Sequence, residues 1–447
     1  MHLLYSLVFT LGFTAALPYF LFQALLHRKY FFSFWERFGV LPEAISLGQK
    51  GGIWIHAVSV GEVMAVLPLI QAVQTRWPGR RLVVSTATLT GQTLARKKLP
   101  GEIGVLYFPL DWRFTARKSL DTIQPSLILI AETEIWPNFL RECGARSIPV
   151  LLVNGRLSDR SVSRYRKIKP FMRRVLRDVS FCCMQTELDR DRLLSLGLDP
   201  GKVEVAGNLK YEIAAPSSIE ARSEAYRRLL GLLPDRFVVV AGSTMKDEEP
   251  LVLAAFEALR ATCSAAVLVI APRHPERFGE VEKLLSDRSL EYVKRSDLDT
   301  GQSRAVLGRE VVLLDSMGEL ATLYAIASVV FIGGSLVPTG GHNILEPALF
   351  RKPILFGPSM SNFREMSEDF LQQDAAVQVK NSEELGRELV RLFLDAEFRQ
   401  RVGDRGHAIL MANRGAAQRI VSRIESIEGR TANVEVRKPE IEVRTGE

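Results

Sequence analysis

Short apolar runs rich in β-branched residues recur along this chain, each followed by a longer stretch of helical period. That alternation restricts the fold more than any other feature. In the first half the runs are IWIHAV (53–58), RLVVSTA (81–87), GVLYFPL (104–110), SLILIAE (126–132), PVLLVNG (149–155), FCCMQ (181–185) and KVEVAG (202–207). Val63–Arg76, Ser161–Arg177 and Glu187–Leu196 read as helices between them. This is the pattern of repeated βα units and predicts a parallel sheet. A polar, helical stretch at 212–233 interrupts it, and the rhythm restarts with FVVVAGS (237–243), AAVLVIAP (265–272), VVLLDSM (311–317), VVFIGGS (329–335) and PILFGP (353–358). At 447 residues the chain exceeds the usual single domain. The expectation is an α/β chain of two doubly wound, Rossmann-like domains whose loop rims, at the carboxyl ends of the strands, face across a cleft. The domains are placed at 31–215 and 216–429, after an anchor at 1–30 and before a polar tail at 430–447 expected to be disordered.

The first residues follow a different rule. Leu3 to Leu26 carries no charge, and at about 1.5 Å per residue such a helix crosses a ~30 Å hydrocarbon core. Only Met1 and His2 precede it, so the basic leader of a cleavable signal is missing and a membrane anchor is the expectation. His27, Arg28 and Lys29 follow, then Tyr30, Phe31, Phe32, Phe34, Trp35 and Arg37. Basic and aromatic residues on that side put the rest of the chain at the cytoplasmic face. Pro18 interrupts the run, so deep insertion in the membrane plane stands beside spanning. The excess of 58 basic over 51 acidic residues, a net charge of +7, suits an anionic membrane, an anionic substrate or nucleic acid and does not choose among them. Cys143, Cys182, Cys183 and Cys263 lack metal-ligand spacing and read as reduced thiols.

The chemistry-bearing clusters all fall just after strands, where a βα fold places its loops. In HAVSVGE (56–62), Gly61 permits a tight turn and Glu62 opens a helix. Two readings fit Glu62: a first-turn acid satisfied by the helix dipole, or a general base whose affinity for protons is raised in an apolar cleft. AETEIWPN (131–138) sets Glu132 and Glu134 two apart, on one face if the strand continues, so basic partners or a cationic transition state would compensate them; two solvated loop acids is the alternative. GNLKYE (207–212) puts Lys210 past a strand end, where it can face an anionic leaving group or a carboxylate. In the second half, AGSTMKDEEP (241–250) offers an anion-binding turn or a plain cap, and APRHPERF (271–278) holds Arg273 between prolines, suited to phosphate. DSMGEL (315–320) adds the amides around Gly318. GGSLVPTGGHNILEP (333–347) combines glycines with a helix opening at His342 and Asn343 and with Glu346, which can take both ribose hydroxyls. No GxxxxGK[ST], strand-linked GxGxxG or HExxH occurs, and no DxD follows a strand, so the site is predicted to be a nucleotide site that uses neither a resident metal nor another cofactor.

Taken in this order, the apolar N-terminus, WERFG (35–39), HAVSVGE, AETEIWPN, GNLKYE, APRHPERF, DSMGEL and GGHNILEP closely resemble the bacterial Kdo transferases, lipopolysaccharide glycosyltransferases of the GT-B class, over roughly residues 1–425. The resemblance implies inverting transfer of 3-deoxy-D-manno-oct-2-ulosonic acid (Kdo) from CMP-Kdo to a lipid A precursor, lipid IVA, at the cytoplasmic face of the inner membrane, with no nucleic acid partner. It also implies that Glu62 is the general base, and that Glu132 and Lys210 compensate charge in the transition state. Pro272 and Arg273, Met317, Gly318 and Glu319, and Asn343, Ile344, Leu345 and Glu346 match the CMP-binding segments. The repeat ETE leaves Glu134 as an alternative to Glu132. The rival expectations are a nucleotide-sugar 2-epimerase of the same architecture and a non-catalytic, membrane-tethered nucleotide-binding protein.

Overall fold

The computed structural model describes residues 2–26, 30–42, 45, 51–213, 218–233, 235–298 and 311–436, with side chains excepted at 19–33 and from 430 onward. The basic collar His27–Lys29 and the side chains of Tyr30, Phe31 and Phe32 lie outside the described residues. The chain divides into two compact units, 1–212 with 414–447, and 213–413.

The first unit holds seven strands, β1 (Gly52–His56), β2 (Leu82–Thr86), β3 (Gly104–Tyr107), β4 (Pro125–Ala131), β5 (Val150–Gly155), β6 (Phe181–Met184) and β7 (Val203–Val205). They form one parallel sheet in the order β3-β2-β1-β4-β5-β6-β7. Alternate residues of β1 enter opposite cores: Ile53 and Ile55 pack with Val63, Val66 and Leu69, while Trp54 packs with Phe108 and Phe139. Both faces are therefore covered, as a parallel sheet requires. The second unit repeats the plan with β8 (Val238–Thr244), β9 (Val267–Pro272), β10 (Tyr292–Lys294), β11 (Val311–Leu313), β12 (Val329–Ile332), β13 (Ile354–Phe356) and β14 (Val377–Gln378), in the order β10-β11-β9-β8-β12-β13-β14. In each sheet the chain reverses its direction of winding at one place, between β1 and β4 and between β8 and β12. Loops diverge there and leave a crevice at the carboxyl ends of the strands.

Several expectations need correction. β10 and β14 are edge strands of three and two residues, too short to show a period. The helix expected over Ser161–Arg177 is two, Asp159–Lys167 and Lys169–Leu176, because Pro170 has no N–H to extend the ladder. The terminal helix, Ala416–Val436, belongs to the first unit, not the second: its buried Ala416, Ala417, Ile420, Val421 and Ile424 join the core beside Val63 and Val66. It also runs past residue 430, where a disordered tail was expected.

The N-terminal helix, His2–Leu26, has two different faces. His2 and Tyr5 lie against Phe171, and Phe9 and Phe13 against Trp112. Asn138 donates to the Ser6 hydroxyl at 2.9 Å and the Trp112 indole to the Thr10 hydroxyl at 2.9 Å. These residues recur at helical spacing, so one stripe docks on the first unit. The opposite stripe, Leu3, Leu4, Leu7, Val8 and Leu11, is 57–83% exposed. Among the described residues no helix is long and apolar enough to cross a membrane.

Candidate active site

Glu62 follows β1 and Glu132 follows β4, so the two acids flank the crevice of the first sheet. The helix bearing Glu62 begins at Val60 with Ser59 as its N-cap. The Ser59 hydroxyl does not accept a helix N–H; it donates to Glu62 Oε1 at 2.9 Å, and the Val58 N–H donates to Oε2 at 2.8 Å. The carboxylate is thus fixed by the turn that precedes its helix. It is also only 7% exposed. Burial raises its pKa to about 7; the Val58 N–H opposes this, Glu132 adds to it, Ser59 opposes it and Glu134 adds again. Glu62 is thus a tethered first-turn acid whose proton affinity is raised towards neutral pH by burial. Gly61 is not the turn-former expected. It lies inside the helix without positive φ, and a Cβ there would have only the Ser59 hydroxyl within 4 Å, leaving space open beside Glu62. His56 is wholly buried, stacked on Phe108 with Nδ1 near Ser85, and burial lowers its pKa to about 3. It is a neutral residue of the core.

β4 ends at Ala131, and Glu132 takes a left-handed backbone, φ 53°. The alternation expected of a continuing strand therefore does not apply to the ETE repeat. The bend is stitched to β5: Glu132 N–H donates to the Val153 carbonyl at 2.9 Å, and the Arg156 N–H to the Thr133 hydroxyl at 3.0 Å. Strain of this kind in a non-glycine residue is of order 1–3 kcal/mol and concentrates at functional sites. Burial, then the neighbouring Glu132, raises the pKa of Glu134. The Lys210 turn, Leu209–Tyr211, packs against the Glu62 helix because Leu209 is buried in the same core cluster as Val63. The first unit thus assembles Glu62, the Glu132–Glu134 turn and the Lys210 turn from three separate stretches.

In the second unit the expected segments line the carboxyl ends of β9, β11 and β12. Pro272 closes β9, and Arg273 is exposed while its N–H donates to the Thr244 carbonyl at 3.0 Å. Glu346 has a raised pKa through burial, opposed by the Asn343 amide and by Arg273, so Arg273 and Glu346 are neighbours. The helix expected to open at His342 starts at Leu345 and is five residues long, with the Asn343 side chain accepting the Leu345 N–H at 3.0 Å. Its dipole is correspondingly small. Met317 is 61% exposed, Gly318 has φ +86°, and Glu319 is paired with Arg295 at 3.1 Å. Sequence reasoning missed Glu248. Its fully buried carboxylate accepts the N–H groups of Met245, Gly334, Ser335 and Leu336 at 2.6–3.1 Å, locking the glycine loop after β12 to the turn after β8. Gly333 is obligatory there, since a Cβ would lie 2.3 Å from the Ser243 carbonyl.

The chain is similar to known proteins. A family model described as 3-Deoxy-D-manno-octulosonic-acid transferase (kdotransferase) matches residues 33–213. The 3-deoxy-D-manno-octulosonic acid transferase of Haemophilus influenzae is 34% identical over 387 residues, 86% of this chain and 89% of its own. The C-terminal CMP-Kdo binding domain of WaaA from Acinetobacter baumannii is 31% identical, covers 44% of this chain and 99% of its own, and has a TM-score of 0.41. UDP-GlcNAc 2-epimerase from Neisseria meningitidis, bound to UDP-GlcNAc, is 14% identical over 84% of this chain and 100% of its own, with a TM-score of 0.53. At that identity the likeness is one of fold, and the two parallel-sheet units are of GT-B type. Identity at the level of the Haemophilus enzyme, sustained along most of both chains, settles descent: the chain belongs to the family of 3-deoxy-D-manno-octulosonic acid transferases.

Proposed function

We propose that this protein transfers Kdo from CMP-Kdo to the lipid A precursor lipid IVA, with inversion at the anomeric carbon, and that Glu62 is the base. The observation that carries the assignment is a buried carboxylate, held at both oxygens and with a pKa of about 7, beside the crevice of the first sheet. Glu62 takes the proton of the acceptor hydroxyl while that oxygen bonds to the anomeric carbon. The bond from that carbon to the CMP phosphate breaks, and CMP leaves with the electron pair. Glu132 faces the positive charge that develops on the sugar, with Glu134 the alternative, and Lys210 meets the donor's carboxylate or departing phosphate. Pro272 and Arg273, Met317 to Glu319, and Asn343 to Glu346 hold the CMP portion. In this reading Arg273 and Lys210 carry the charge of a leaving monophosphate, so no metal need be added.

The acceptor is a glycolipid, so the enzyme works at the cytoplasmic face of the inner membrane. The N-terminal helix supplies the contact: its aromatic and hydroxyl stripe binds the first unit and its aliphatic stripe is free for lipid. That division supports an anchor lying in the membrane plane.

The test is mass spectrometry of products from the purified protein, CMP-Kdo and tetra-acylated lipid A precursor without added metal. A mass increment of one or more Kdo units is expected, and Glu62→Gln should abolish it while CMP still binds. Full activity of the variant would remove Glu62 as the base. Turnover of a free nucleotide sugar with no lipid product would favour the epimerase.

A further inference from the structure

The end of β5 is tied to the Lys210 turn by three side-chain amides, those of Asn154, Gln185 and Asn208. Asn154 is completely buried and has a left-handed backbone, φ 56°. Its Oδ1 accepts the Leu209 N–H at 2.9 Å. Its carbonyl accepts the Gln185 side-chain amide at 3.0 Å, Gln185 Oε1 accepts from Asn208 Nδ2 at 2.9 Å, and Asn208 Oδ1 accepts the Lys210 N–H at 2.9 Å. The network runs from the end of β5, past the end of β6, to the turn after β7, and returns. Two consecutive N–H groups of the turn, those of Leu209 and Lys210, are both taken by side chains in it.

We propose that Asn154 is a positioning residue for the transfer reaction, acting through Lys210; this rests on the reading of Lys210 as a site residue. A lysine ammonium rides on a long flexible stem, so the point from which the stem starts decides where the charge reaches. That point is set by the amide network and by Leu209, whose side chain is anchored in the core beneath the Glu62 helix. Asn154 also adjoins Val153, whose carbonyl holds Glu132 N–H. One bend in the backbone thus sets both the ETE turn and the Lys210 turn. Asparagine is among the few residues that adopt the left-handed region readily and also offer an acceptor. Its Nδ2 is buried with no hydrogen-bond partner among the described residues. That is an expensive arrangement for a residue that merely fills a loop, and it indicates that the orientation of Oδ1 is what the fold maintains.

A double-mutant cycle in the transfer assay, run at enzyme concentrations high enough to measure residual rates, tests the proposal. Asn154→Gly keeps the backbone conformation and removes the amide. It should lower the thermal midpoint by only a few degrees, as loss of one buried hydrogen bond does, lower kcat by about tenfold to a hundredfold, and hold KM for both substrates within about twofold. Added to Lys210→Ala, it should lower the rate no further than Lys210→Ala alone. A wild-type kcat in Asn154→Gly alongside a crippled Lys210→Ala overturns the proposal, as does a double variant in which the two losses multiply. A wild-type rate in Lys210→Ala overturns instead the reading of Lys210. Should Asn154→Gly fail to fold, Gln185→Met breaks the same network at its middle and carries the same expectations.

Discussion

At pH 7 the Glu62 carboxyl is divided about evenly between its charged and neutral forms, since burial lifts its pKa to about 7. In its proposed role as base Glu62 must be deprotonated to act, so kcat/KM for transfer should rise tenfold per unit on the acid side of about pH 7 and level off above it. The same shift has a stability consequence of opposite sense. The folded state binds this proton more tightly than the unfolded state, where the group returns to about 4.5. Stability is therefore undiminished below pH 4.5 and falls as pH climbs from there through 7, by on the order of 3 kcal/mol. Glu62→Gln should abolish transfer yet raise the thermal midpoint at pH 8 and leave it nearly unchanged at pH 5; a variant less stable at pH 8 would show that the two hydrogen bonds outweigh the buried charge. Glu62 was visible in the sequence because it stands between a β-branched run and an apolar helix. Asn154 and Glu248 were not. An asparagine after a strand and an acid in a DEE run look like ordinary loop and helix-start residues, and only long-range folding reveals what they hold.

Among the elements, the strands were legible because buried parallel strands read as continuous apolar runs. The N-terminal helix was legible only in part: its lack of charge is plain, but the difference between its faces depends on Phe171, Trp112 and Asn138, more than a hundred residues distant in most cases. That difference gives a specific expectation. Leu3, Leu7 and Leu11 lie on the outward stripe, and each leucine moved into an apolar phase contributes about 2 kcal/mol. Replacing all three by Gln should weaken sedimentation with anionic phospholipid vesicles by at least tenfold, and the far-ultraviolet circular dichroism should be unchanged. Transfer to a detergent-dispersed acceptor should survive. Unaltered vesicle binding would mean that residues elsewhere, such as exposed Trp35 and Phe114, make the contact.

At the scale of the whole molecule, the first unit is not continuous in sequence. Its core is completed by Ala416–Val436, which returns after the second unit, and no local pattern announces that return: the helix looks like the last element of whatever precedes it. Within the first unit Arg80 holds Glu428 at 2.6 Å, Arg419 donates to the Ala206 carbonyl at 2.7 Å, and Glu212 accepts the Ala417 N–H at 3.1 Å. The buried stripe matters more than these partly exposed polar contacts, because surface ion pairs contribute little. Ile420 and Ile424 have no exposed surface, and truncating either to Ala should destabilise the first unit by about 2–5 kcal/mol. Their cluster also contains Val63, Val66, Ala206 and Leu209, the residues beneath the Glu62 helix and the Lys210 turn. Loosening the terminal helix should therefore reach the site before the unit unfolds. A chain ending at residue 413 should lose transfer activity, and hydrogen exchange should show lost protection over 60–76 and 203–211. A truncated chain with wild-type activity and protection would mean that the first sheet closes its core without the returning helix.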